Sequence, residues 1–322
     1  TALAGVALAL GYYTRPVTAL AFVLVVSLDA RNPFVLSFAD VLFATLLALA
    51  VLLPLGERWS IDAVAADRPR KRSVSGVATA LILSQMVILY VVNGYHKTTS
   101  ELWRSGEAAV LILGIDEITH LFGDALRASP ELLRIGGLVW LALLCSAWLL
   151  LVFRGRPRHL LVAAFAIGHV AMALTVRVGA FSFVCLAGLI LFCQSSAWAD
   201  AGRISRRLPT GTVIRARLVA VASRVPRPVS SGPGRAADAV RARLPEPLAG
   251  HAAPVVVIGC LAALLVTASG LSAVGILDEE TPGEEIETAA NGLVEFQSDW
   301  SIFAPNPRTT DRYYVFPART ER

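Results

Sequence analysis

Lys97 stands out chemically, because Lys71 and Lys97 are the only lysines among 29 basic residues and the remainder are Arg. A guanidinium stays protonated in proteins, whereas a desolvated ammonium can give up its proton and serve as a base. A lysine kept at the end of an apolar run is therefore compatible with proton transfer. Asn93 precedes Lys97 by four residues, so the two share a face if the helix continues that far. His96 is adjacent, and Trp103 follows within Leu102-Trp103-Arg104-Ser105-Gly106-Glu107. His169 lies inside another apolar run, with Arg177 eight residues later on roughly the same helical face. Ionisable groups are costly in a membrane, usually face the bundle interior, and mark functional sites by default. Each has a plainer alternative: Lys97 as a snorkelling anchor at a helix end, His169 as a histidine hydrogen-bonded to a neighbouring helix.

Further candidates are Arg31 and Asn32, which precede a third apolar run, and the tail motif Trp300-Ser301-Ile302-Phe303-Ala304-Pro305. Trp300 and Phe303 read as interfacial anchors, since such rings favour the headgroup region. Asp40, within the run that Arg31 and Asn32 precede, reads as structural and is expected to pair across the bundle with Arg31 or Arg177. No metal site is expected. Cys145, Cys185, Cys193 and Cys260 all sit in apolar runs without CxxC or Cys/His spacing, and the acidic stretch Asp278 to Glu287 lacks an EF-hand pattern. Walker A, GxSxG, HExxH and GxGxxG patterns are missing, which leaves nucleotide, hydrolase and zinc-protease readings unsupported.

The elements that must position these residues follow from composition. With 55% hydrophobic and 16% charged residues and a mean hydropathy of +0.62, the chain is too apolar for a water-soluble domain, so the bilayer is the solvent for most of it. A span needs about 20 apolar residues. By that measure the candidates are 1–12, 16–28, 35–55, 74–93, 132–153, 159–175, 180–194 and 254–277. Two stretches differ: 94–131 is mixed and partly amphipathic, and 203–250 carries Arg203 to Arg243 among many Pro, Gly and Ser residues, as a solvated linker does.

Cytoplasmic loops hold the excess of Lys and Arg. That puts Arg68 to Arg72, Arg154 to Arg158 and the Arg-rich linker inside. Alternation then puts Asp29 to Phe34, Gly94 to Glu131, Arg177 to Ala180 and the tail after Leu277 outside. The net charge of +5 is accounted for by these loops and does not call for nucleic acid. The expected fold is all-α: a multi-pass transmembrane helical bundle of the cell membrane over 1–200, N-terminally incomplete because Thr1 already lies in an apolar run. An Arg/Pro/Gly-rich cytoplasmic linker (201–253), a further transmembrane helix (254–277) and an extracytoplasmic tail (278–322) follow, the tail with extended, strand-like segments such as Arg312 to Phe316. No fixed-period repeat suggests a solenoid.

Taken in order, several motifs resemble the HTTM family, the horizontally transferred transmembrane domain related to vitamin K-dependent γ-carboxylase. They are Arg31-Asn32-Pro33, Trp59-Ser60-Ile61-Asp62, Asn93-Gly94-Tyr95-His96-Lys97, Trp103 to Ala108, His169 with Arg177-Val178-Gly179-Ala180-Phe181, and Trp300 to Pro305. The resemblance implies a membrane-embedded lysine, at the position of Lys97, that deprotonates a reduced naphthoquinone at the outer side. Oxygenation of that quinol then yields a strong base able to remove a glutamate γ-proton before carbon dioxide adds. His96, His169 and Arg177 would orient substrate or balance charge, and Asn93, Trp103, Arg31, Asn32, Trp300 and Phe303 would contribute to binding. The chain departs from the carboxylase in having His96-Lys97 where two lysines adjoin, and in lacking a large extramembrane domain. A different class of function is also open: a non-catalytic protein that binds quinone or lipid, or scaffolds a protein partner, with the aromatic tail as lid.

Overall fold

Short caps and glycines at their ends set where the apolar runs become helices. The computed structural model describes residues 1–32, 37–58, 60–65, 74–207, 220 and 303. It is 76% helical and has no strand among the described residues, which places it in the all-α class; one isolated antiparallel bridge pairs Thr119 with Val176. The helices are α1 (Ala2–Leu10), α2 (Thr14–Asp29), α3 (Phe38–Ala50), α4 (Ile61–Ala65), α5 (Val77–Thr98), α6 (Glu101–Ser105) and α7 (Glu107–Gly114). They continue with α8 (Gly123–Arg127), α9 (Pro130–Cys145), α10 (Leu149–Val152), α11 (Arg156–Thr175), α12 (Phe181–Ile190) and α13 (Ser195–Arg207).

Local chemistry explains the boundaries. Gly11 ends α1 in the left-handed region at φ +64°, where a Cβ would stand 2.2 Å from that of Ser60. The Asp62 carboxylate then caps the start of α2, accepting from the backbone N–H of Tyr13 (2.9 Å) and Thr14 (2.7 Å) and from the Thr14 hydroxyl. Orphan N–H groups at a helix start are thus satisfied from a distant segment. The Ser60-Ile61-Asp62 motif is accounted for by this clamp.

Asp40 is structural, as expected, but its partner is different. It caps its own helix, accepting from the Ser37 N–H (2.8 Å) and Ser37 hydroxyl (2.7 Å), because a carboxylate at the third helical position reaches back to the N-cap more cheaply than across a bundle. Pro130 and Pro157 fall in the first turns of α9 and α11, where the missing N–H costs nothing.

The seven apolar runs expected before residue 195 all contain helices. The run 132–153 divides at Ser146 into α9 and α10, and α5 extends past Asn93 to carry Lys97. Helices α5 (22 residues) and α11 (20 residues) are long and apolar enough to cross a membrane, and α12 with α13 makes a third if that pair, bent by 103°, is one broken span. The expected segment 254–277, the strand-like tail and Trp300 lie outside the described residues, as do Trp59 and most of the Arg-rich linker.

Helix α5 is central, packing against α3, α6, α9, α10 and α12. Leu42, Met86, Leu89, Tyr90, Leu144, Phe165 and Leu189 are among the fully enclosed core residues. Gly94 lets α9 come close, since a Cβ there would meet Leu144 at 3.1 Å and its backbone at 3.2 Å. The outside is apolar too: Leu160, Ile167 and Phe183 are 73%, 70% and 65% exposed. An apolar exterior around an apolar core fits helices solvated by lipid.

Candidate functional site

The continuation of α5 to Thr98 puts Tyr90, Asn93 and Lys97 on one face, at i, i+3 and i+7. That face is one wall of a cavity of about 440 Å³. Lys97 is 2% exposed, and its Nζ donates to Asn93 Oδ1 at 2.7 Å. The same Nζ stands 4.4 Å from the ring centroid of Trp103, itself 4% exposed. A cation over an indole face is attracted by the ring quadrupole, the more so when both are desolvated. Short helix α6 delivers Trp103 to this place. Its end at Gly106, with φ +83°, turns the chain tightly against α9, where a Cβ would stand 2.7 Å from the Arg134 carbonyl oxygen. Arg134 Nε donates to Glu107 Oε1 at 2.6 Å and Arg134 also pairs with Glu131, which ties α9 to the start of α7.

The other edge of the Trp103 indole is held by the tail. Its Nε1–H donates to the Phe303 carbonyl oxygen at 2.8 Å, and Phe303, in the left-handed region at φ +55°, lines the cavity and packs against the apolar cluster that includes Trp103, Leu133 and Val176. Two hundred residues apart in sequence, these groups close one side of the cavity together.

His169 lines the same cavity and has no exposed surface. Its Nε2 is 3.0 Å from the Tyr90 hydroxyl, while Nδ1 has no hydrogen-bond partner. Aromatic edges fix the imidazole: Trp140 at 5.3 Å and Phe181 at 5.9 Å between centroids, with Tyr90 stacked on Phe165 at 4.5 Å. Gly168 makes room for this arrangement, because a Cβ there would lie 2.5 Å from the Trp140 ring.

The remaining expected residues are elsewhere. Arg177 is exposed and does not line the cavity. Its backbone N–H donates to the Ile118 carbonyl at 2.6 Å and its Nη1 to the Glu117 carbonyl at 3.3 Å, so it straps the 115–122 loop to the end of α11. The eight-residue offset from His169 does not keep it on the His169 face, because α11 ends at Thr175 and Val176 is extended. His96 is half-buried beside Tyr95, off the cavity wall, with its Nε2 enclosed and without a hydrogen-bond partner. Arg31 and Asn32 are exposed just past the end of α2. Among the described residues no cluster of His, Cys, Asp or Glu could hold a metal ion.

Sequence reasoning missed Tyr90 and Trp140. Tyr90 was reachable, since it stands three residues before Asn93 and seven before Lys97 on the same face. Trp140 carries no such signal, as it reaches the site only through the packing of α9 against α11.

The cavity therefore combines an almost wholly apolar lining with two polar stations, Lys97–Asn93 and Tyr90–His169. Apolar walls with a few fixed polar groups are the usual make-up of small-molecule sites, and the volume is within their range. The HTTM domain family model matches residues 1–198. No curated protein and no solved structure matches the chain.

Proposed function

The chain belongs to the HTTM domain family, and on that premise we propose that it is a multi-pass cell-membrane enzyme that acts on a reduced quinone, with Lys97 as the base. Its HTTM domain and apolar helices fit an integral membrane protein. The observation that carries the enzymatic reading is the enclosure of Lys97: the amine is held by Asn93 Oδ1 and the Trp103 face on the wall of an apolar cavity. An amine removed from water is a stronger candidate for proton exchange with a hydroxyl than any guanidinium. Neutral Lys97 accepts a hydroxyl proton from the bound ligand, and the ammonium so formed stays over the indole ring. The quinol supplies the reducing equivalents when bound; Asn93 and Trp103 hold the amine in register, and the apolar walls exclude water. Arg-rich segments at 68–72, 154–158 and 203–243 support an orientation with the Lys97 end of α5 on the non-cytoplasmic side. In this reading 1–200 is the helical domain, 201–253 a cytoplasmic linker, 254–277 a last span and 278–322 an extracytoplasmic tail.

Purified protein in mild detergent is expected to carry a quinone detectable by mass spectrometry. Membranes containing Lys97→Arg are expected to lose quinol-dependent oxygen uptake at least tenfold, and full retention would dismiss Lys97 as base. A second reading, ligand binding without catalysis, is favoured by the placement of Arg177 and His96 off the cavity wall. On that reading Lys97→Arg keeps quinone while showing no activity to lose.

A further inference from the structure

The far end of α11 carries charges that the cavity does not use. Arg154, Arg156 and Arg158 gather at the start of that helix, about 20 Å of helical rise before His169. Two hydrogen bonds stitch their loop to the turn between α12 and α13: the Gly155 N–H donates to Gln194 Oε1 at 2.5 Å, and the Gln194 N–H donates to His159 Nε2 at 3.3 Å. Arg158 is fixed further, its Nε donating to the Phe153 carbonyl at 2.6 Å and its Nη2 to the Leu151 carbonyl at 3.0 Å. Arg154 and Arg156 are exposed, and the Arg154 charge acts on that of Arg158. Among the described residues, ion pairs occupy Arg127, Arg134 and Arg203 and none of these three. Like charges held on one loop with no carboxylate between them repel one another, and an anion from outside the chain would offset that cost.

The surroundings restrict which anion fits. Leu151, Val152 and Leu160, all within three residues of the arginines, are exposed aliphatic side chains. Across the stitched turn, α13 leaves the apolar α12 at 103°. On α13 the exposed Trp198, whose Nε1–H donates to the Cys193 carbonyl at 3.2 Å, stands on the side opposite the Asp200–Arg203 ion pair. A helix set nearly square to an apolar neighbour, with an aromatic ring on one side and charges on the other, has the make-up of one lying in the bilayer interface. A soluble anion would leave the aliphatic side chains and the indole without a role. A phospholipid uses all of them, because its phosphate matches the planar fork of a guanidinium while its acyl chains cover the leucines. A headgroup with no cation of its own adds no further repulsion.

We propose that the 154–158 loop and the start of α13 form a site for an anionic phospholipid of the cytoplasmic leaflet, on the orientation given above. Arg154 and Arg156 hold the phosphate, Leu151, Val152 and Leu160 meet the acyl chains, and Trp198 seats α13 at headgroup depth. None of these residues lines the cavity, so the lipid site and the quinol reading stand or fall separately.

The test is native mass spectrometry of the full-length protein in mild detergent, titrated with dioleoyl phosphatidylglycerol or dioleoyl phosphatidylcholine. Wild type is expected to hold its first phosphatidylglycerol at least tenfold more tightly than phosphatidylcholine. Arg154→Gln and Arg156→Gln should each weaken phosphatidylglycerol binding about fivefold, the change that about 1 kcal/mol per arginine corresponds to. The double variant should bring the two lipids near equality, with phosphatidylcholine binding unchanged as the control for folding. Lysine at both positions keeps the charge and should retain most of the preference. Arg15→Gln removes the same charge from the exposed start of α2 and should leave the preference as it is. Equal binding of the two lipids to wild type, or a preference that survives the double glutamine variant, overturns the proposal. So does an equal loss in Arg15→Gln, which would make the effect one of net charge, or displacement of the lipid by equimolar glycerol 3-phosphate, which would make the site one for soluble phosphate.

Discussion

The contact between Lys97 and Trp103 makes a quantitative prediction through a double-mutant cycle. Nζ lies 4.4 Å from the indole centroid, and the two residues are 2% and 4% exposed. For exposed pairs a cation–π contact is worth about 0.5–1 kcal/mol, and for desolvated pairs about 2 kcal/mol; the burial puts this pair at the upper end. Trp103→Leu also deletes the hydrogen bond to the Phe303 carbonyl, about 1 kcal/mol, and Lys97→Met deletes the bond to Asn93. Neither loss involves the other mutated side chain, so both cancel in the cycle, and what remains is the contact itself. Unfolding free energies of wild type, Lys97→Met, Trp103→Leu and the double variant, measured by denaturing-detergent titration in mixed micelles at a pH acidic enough to hold Lys97 as the ammonium, should give a coupling of about 2 kcal/mol. Trp103→Phe, which keeps a ring face but not the indole N–H, should retain part of it. Additivity of the two single effects within about 0.5 kcal/mol would show that the ammonium and the ring do not stabilise one another, and would remove Trp103 from the account of how Lys97 is held.

Gly168→Ala introduces a Cβ 2.5 Å from the Trp140 ring, so the indole must shift off His169; a loss of about 1–3 kcal/mol should be seen in thermal unfolding in detergent, together with weaker binding of 1,4-dihydroxynaphthalene. Asp62→Ala removes the acceptor shared by the Tyr13 and Thr14 N–H groups and should cost about 1–2 kcal/mol in the same unfolding assay. Because that clamp is built from α2 and α4 and does not touch the cavity, diol binding at saturating protein stability should be unchanged.

Hydropathy alone was enough to anticipate the helical class and the approximate place of the helices in the seven apolar runs before residue 195, though not of the apolar helix α7, because a backbone removed from water must pair its own N–H and C=O groups and a helix does this within one segment. Lys97 and His169 were legible for a related reason. A charged or titratable side chain in an apolar run is expensive enough that its presence needs a cause. Helical periodicity also put Asn93 beside Lys97, since the relation is local to α5. What periodicity could not supply was anything that depends on how helices meet. Arg177 has the right spacing from His169 and is nonetheless elsewhere, because α11 stops at Thr175 and the extended residue that follows turns it onto the 115–122 loop. Asp40 satisfies its own helix start, where the sequence led us to expect a cross-bundle pairing with Arg31 or Arg177. Tyr90, Trp140 and the carbonyl of Phe303 reach the cavity from α5, α9 and the tail. Side chains distant along the chain converge only when close packing, permitted at Gly94 and Gly168, brings their helices together. The sequence by itself determined which residues would be costly to bury, and tertiary packing alone decided which of those costs are shared in one cavity.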